Sequence, residues 1–170
     1  MLRTTVLLAA LLVLPSAIPG AGDAPLDRAT LRGLKSVSVV IDRLTPDLQR
    51  DGLSPERLQR QIEERLSKAG IIIDKDAVEF IGFRVLAIRE KKAPYSLWFA
   101  IGLYQPVLLS RDKNIRTATQ TWEAETAVTA TPKLLVRSSA AIVDQLADQF
   151  VAAYRSVNPP NSGTGYEIPK

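Results

Sequence analysis

Cysteine and histidine are both absent from this 170-residue chain. Without cysteine there are no disulfides, no thiolate chemistry and no residue to carry a lipoprotein anchor. Without histidine the chain lacks the most common metal ligand and the one side chain that ordinarily titrates near neutral pH. Ser-His-Asp and Cys-His catalysis are excluded, and a typical zinc site would have neither its nitrogen nor its sulfur ligands. No cofactor or metal is expected. Aromatics are sparse at 6%, which makes Trp98, Tyr104 and Trp122 conspicuous where they fall. No apolar run approaches the roughly 20 residues that cross a bilayer as a helix.

The longest apolar run lies at 4–14, after a short positive start at Arg3. Pro15 and Ser16 break it, and Ala17, Gly20, Ala21 and Gly22 follow. This order is that of a secretory signal peptide, with cleavage expected after Gly22. Cleavage after Ala24 would place Pro25 beside the cut, which disfavours it. The expected exported protein begins near Asp23, is periplasmic or secreted, and has no transmembrane anchor. It retains about 150 residues, enough for one domain with its own core. Charged residues at 24% and the hydrophobic class at 46% are ordinary globular values and argue against disorder. A net charge of +4 is mild, and the basic residues alternate with acids, so a nucleic-acid partner is not expected.

The pattern along the chain predicts α+β architecture. Thr30-Leu31-Arg32-Gly33-Leu34 reads as a short turn of helix, and 36–44 as a β-branched first strand. The polar stretch 47–53 reads as a loop. Ser54-Pro55-Glu56 is a strong helix start, with a capping hydroxyl, proline at the first helical position and an acid at the positive end. Leu58, Ile62, Leu66 and Ala69 recur at helical spacing until Gly70. The opposite face carries Glu56–Arg60 and Glu64–Lys68, four apart, as a solvated charged face would. Ile71-Ile72-Ile73 is a short strand, so strand, helix and strand imply a parallel pair.

Three longer strands follow. In 78–90, Ile81, Phe83, Val85 and Ala87 share a face. Lys91-Lys92-Ala93-Pro94 makes a hairpin loop, and 95–109 presents an apolar face at its odd positions. Pro106 belongs at an edge or bulge. After a turn at 111–114, residues 116–128 alternate, with Ala118, Trp122, Ala124 and Val128 one way and Thr117, Thr119, Thr121, Glu123 and Glu125 the other. A long helix spans 134–157, its buried stripe running Ser139, Ile142, Val143, Leu146, Phe150, Ala153 and Val157. The expected fold is a two-layer sandwich: a mixed sheet of about five strands with two main helices on one face, in the order strand-helix-strand-strand-strand-strand-helix. The single domain covers 23–157, and 158–170 is a flexible polar tail.

Two candidate sites emerge. Trp98 and Tyr104 stand on the non-core side of the 95–109 strand with Ala100 and Gly102 between them, as a partner-binding surface would. Glu123 and Glu125 share a strand face, and carboxylates about 5–10 Å apart can hydrolyse a glycoside as acid and base or nucleophile. Asp144/Asp148 and Asp74/Asp76 are pairs of the kind any solvated surface carries. The leading expectation is a non-catalytic binding or adaptor module. A carbohydrate-active hydrolase using Glu123/Glu125 is the alternative.

The segments Leu31-Arg32-Gly33-Leu34, Leu53-Ser54-Pro55-Glu56 through Ala69-Gly70-Ile71, Gln105-Pro106-Val107, Thr119-Gln120-Thr121-Trp122 and Tyr154-Arg155-Ser156-Val157-Asn158-Pro159 resemble a group of small secreted bacterial proteins of unknown function. The element order is similar to the α/β domains of periplasmic assembly factors, such as the N-terminal domain of the Tol-Pal translocation protein and curli-secretion-type lipoproteins. This resemblance implies protein–protein contact in the cell envelope, with another envelope protein or a second copy as partner. The absent anchor cysteine departs from the lipoprotein members.

Overall fold

The sheet forms because five segments can each bury one face. The structure, a computed structural model, describes residues 22–91 and 93–159. The expectations for a signal peptide at 1–22 and a tail at 158–170 therefore fall almost entirely outside the described residues. Strand β1 (Ser36–Ile41) turns Val37 and Val39 inward. Strand β2 (Ile72–Ile73) lies parallel to it, with Ser36 opposite Ile72. Strand β3 (Phe80–Ile88) is parallel to β1 on its other side, and β4 (Tyr95–Leu109) and β5 (Asp112–Ala130) complete an antiparallel meander. The order across the sheet is β2-β1-β3-β4-β5.

The helices pack on one face of this sheet. Helix α3 (Pro55–Lys68) starts as its sequence dictates, with the Ser54 hydroxyl accepting the Arg57 N–H at 3.3 Å. It buries Leu58, Ile62 and Leu66. Helix α4 (Leu135–Val157) buries Leu135, Ser139, Val143, Leu146, Ala147, Phe150 and Ala153, while Ile142 and Val157 are only half-buried at the margin. The charged face of α3 is exposed at Glu56, Arg60, Glu64 and Lys68, as expected of a solvated face. Among the described residues neither Glu56–Arg60 nor Glu64–Lys68 closes into an ion pair; Arg65 instead reaches across to Asp144 and Asp148 of α4, at 2.9 and 2.8 Å. The two aspartates thus hold the helices together. Gln61 adds hydrogen bonds to the Ala140 carbonyl and the Asp144 carboxylate, both at 2.8 Å.

Several local expectations need correction. The first helix, α1 (Pro25–Ala29), lies one turn before 30–34, because Pro25 suits the first helical position and Asp27 accepts the Ala24 N–H at 3.0 Å. The first strand ends at Ile41 rather than 44. The expected loop at 47–53 contains helix α2 (Pro46–Arg50), where Pro46 follows the N-cap Thr45 and Leu48 is buried. The β4–β5 hairpin turns at 110–111, and Asp112 already belongs to β5.

The largest correction concerns β5. Leu103 pairs with Trp122 but Tyr104 pairs with Gln120, so Thr121 is an extra residue in β5. A bulge of this kind switches the side-chain alternation beyond it. Ala118, opposite Pro106, therefore lies on the face away from the helices, not with Trp122.

Two devices fasten the edges. Tyr95 is buried and donates its hydroxyl to Asp51 at 2.8 Å, while Arg89 bonds the same carboxylate and sits over the Tyr95 ring, 4.7 Å from its centroid. At the far end, the Asn158 side chain donates to the Leu31 carbonyl at 2.9 Å and accepts from the Gly33 N–H at 2.8 Å.

The centre of the core is aromatic. Trp122 meets Phe150 edge-on at 5.1 Å, with Phe99, Ile101 and Leu146 also buried. The Trp122 indole N–H donates to Asp23 at 2.7 Å, and Arg28 grips the same carboxylate through two bonds of 2.7 and 2.6 Å. Replacing Phe150 with Ala is expected to cost about 3–5 kcal/mol in chemical denaturation. A loss below about 1 kcal/mol would place Phe150 among surface positions and contradict this packing.

Asp23 also makes stability depend on pH. Burial opposes its charge, but the hydrogen bonds from Arg28 and Trp122, with the Arg28 charge, outweigh burial and hold its carboxyl below the ordinary 3.8. The unfolded chain therefore takes up the proton first. The stabilisation is fully present above the unfolded value and is lost as pH falls through the lower folded one. Asp23→Asn is expected to lower stability at pH 7 and to flatten the acid limb below about pH 4, followed by far-ultraviolet circular dichroism during urea unfolding. Wild-type and variant curves that stay parallel down to about pH 2 would contradict this role.

Candidate functional site

Alternation along the strands sends every second side chain away from the helices, and no helix among the described residues packs on that open face. Register places its residues in rows. Val40, Gly82, Gly102 and Glu123 form one row, and Arg84, Ala100 and Glu125 form the next toward the start of β4. Toward its end, Ser38, Phe80, Tyr104 and Gln120 align. The central row carries two glycines, so the middle of the face has a floor without side chains.

Neighbouring side chains lean over that floor. A Cβ on Gly82 would lie 2.7 Å from the Tyr104 ring, and a Cβ on Gly102 would lie 3.0 Å from the Gln120 amide. Tyr104 stacks in parallel on Phe80, with ring centroids 4.8 Å apart and planes 4° apart. Arg84 donates to Asp42 at 2.9 Å and to the Tyr104 hydroxyl at 3.4 Å. The hydrogen bond to Asp42 pushes the guanidinium further up its already high range. Glu123 closes the side toward β5, where its backbone N–H donates to the Gly22 carbonyl at 3.0 Å. The resulting hollow has a volume of about 190 Å³.

The anticipated residues are not all brought together. Tyr104 walls the hollow; Trp98 does not. They stand six positions apart, about 20 Å along an extended strand. Trp98 is half-buried opposite Leu86 and belongs to a separate apolar strip with the exposed Leu86 and Ile88. Glu123 and Glu125 do share the open face, but the hollow reaches Glu123 alone. Asp74 accepts the N–H of Asp76 in a local turn. Among the described residues no three acids converge as metal ligands would.

Phe80, Gly82, Arg84, Asp42 and Gln120 complete the site, and none of them stood out in the sequence. Gly82 carried the one usable signal, since glycine inside a strand marks a bulge or a close approach. Phe80 and Arg84 flank it at the outward positions of β3. The side chosen by Gln120 depends on the bulge at Thr121 and has no sequence signature.

No protein-family model matches this sequence, and no curated protein matches it. Among solved structures the chain is similar to a dodecameric PelC variant from Paraburkholderia phytofirmans, with 13% identity, 72% of this chain and 87% of that one covered, and a TM-score of 0.38. It is similar to a minor lipoprotein from Acinetobacter baumannii at 15% identity, 74% and 95% coverage and a TM-score of 0.33. It is also similar to a putative neuraminyllactose-binding hemagglutinin homolog from Helicobacter pylori, at 11% identity, 74% and 92% coverage and a TM-score of 0.25.

Gly82→Ala tests the geometry of the floor. The added methyl is expected to displace the Tyr104 ring from Phe80 and alter the near-ultraviolet dichroism of the tyrosines, at a stability cost of about 1–3 kcal/mol. An unchanged spectrum would mean that the ring does not lie over Gly82.

Proposed function

We propose that this chain is an exported, non-catalytic binding module of the bacterial cell envelope, acting through the open face of its sheet. The observation that carries this reading is the concentration of uncovered apolar side chains there. Val40, Leu86 and Ile88 are 45%, 55% and 74% exposed, and Trp98 lies beside Leu86. Large apolar residues gathered on one uncovered sheet face gain by being covered, and Trp and Tyr supply much contact area at little cost in side-chain freedom.

The resemblance to small secreted bacterial proteins supports the envelope setting. No helix among the described residues is long and apolar enough to cross a membrane. The partner is another envelope protein or a second copy of the chain.

Capture from envelope extracts tests the surface. The wild-type protein is expected to retain a partner that the Trp98→Ala, Tyr104→Ala double variant loses, with circular dichroism showing that the variant is folded. Equal recovery by both proteins would remove the open face as the binding surface.

A further inference from the structure

Resting on the open-face reading, we infer that the hollow between β1, β3, β4 and β5 receives one cationic side chain, an arginine or lysine, presented by the partner. Its size sets the class of occupant. About 190 Å³ is below the range of sites for drug-sized ligands and fits one long side chain. Its floor is low at Gly82, Gly102 and Ala100, with the Tyr104 ring and the Gln120 amide leaning over the two glycines as walls.

Charge selects the sign. Among the described residues the one cation lining the hollow, Arg84, is neutralised by Asp42 at 2.9 Å. Glu123 makes no ion pair among the described residues, and neither does Glu125 in the adjacent row of the same face. The walls therefore keep a net negative charge, which opposes an anionic guest. The Glu123 carboxylate accepts hydrogen bonds from a guanidinium or ammonium, and the Gln120 amide oxygen and the Tyr104 hydroxyl are further acceptors. The stacked Phe80 and Tyr104 rings form a rigid wall of the same space.

The surroundings strengthen the pairing. Exposed Val40 stands in the same row as Gly82, so a docked partner would cover it and exclude water from the ion pair. Anchors of this kind, seated in a pocket and ringed by apolar contacts, dominate many interfaces.

The test uses the full-length ¹⁵N-labelled chain, in which Gly22 is retained, and three capped tripeptides, acetyl-Gly-X-Gly-amide, in which X is arginine, lysine or citrulline. Arginine and lysine are expected to give saturable shifts at the amides of Gly82, Gly102 and Glu123. Citrulline, which keeps the shape and loses the charge, is expected to bind about tenfold more weakly. Glu123→Gln is expected to weaken arginine binding by about fivefold or more, and raising salt to weaken it in the wild type. Citrulline binding as well as arginine, a Glu123→Gln variant that binds like wild type, or shifts produced only by a hexose added in place of the peptides would each overturn the inference. Trp98→Ala, outside the hollow, separates it from the broader reading. That variant is expected to keep the arginine shifts while losing partner capture. Capture that depends on Trp98 with no arginine response would reject the cation site and leave the open face standing.

Discussion

The Trp122 indole is the joint on which the fold depends. It is the largest buried side chain and carries one donor that burial would otherwise strand. Asp23 accepts that donor and is itself gripped by Arg28 of α1. The ring edge meets Phe150 of α4, and the residue next to it, Glu123, faces the opposite side of the sheet. One residue thus ties the N-terminal segment, the helical layer and the outer strand together. The bulge at Thr121 lies beside it, and beyond that point β5 runs on with β4 as a two-stranded ribbon.

The open face is shaped by omission. Paired strands normally cover themselves with cross-strand side-chain contacts. Here Gly82 and Gly102 face each other with no side chains of their own, and Tyr104 and Gln120 fold over them from the next row. That arrangement gives up packing in the middle of the sheet. A sheet interior seldom does so without something else to fill the space, which is why the hollow, and not the acids scattered over the helices, holds the chemical interest. Asp144 and Asp148 are engaged with Arg65, and their work is to align two helices.

Elements governed by local periodicity were legible in the sequence. The Ser54-Pro55 start of α3, the bounds of β4 and the inward faces of β3 and α4 follow from spacing and capping alone. The elements that escaped are those decided at a distance. Helix α2 hides in a polar stretch because only Leu48 is buried, and its burial needs a core built by other segments. The Asp23–Trp122 bond joins positions far apart in the chain. The far end of β5 changes face at a bulge that no residue type announces. Of the site, Tyr104 and Glu123 could be found by alternation, while Phe80, Gly82 and Arg84 lay on the outward positions of a strand whose inward positions drew attention first.

The sheet order has a consequence for how the chain reaches its folded state. Strands β3, β4 and β5 follow one another with short connections, so their pairing closes short loops. Strand β1 is different: it is inserted between β2 and β3, and both neighbours are supplied only after α3 has been traversed. Closing those longer loops costs more chain entropy before any contact is gained. The meander is therefore the natural nucleus, and the parallel half of the sheet assembles onto an edge of β3 that stands open until β1 arrives. Until then an apolar strand edge stays unpaired, and the speed with which α3 delivers β2 and shields β1 sets how long that lasts.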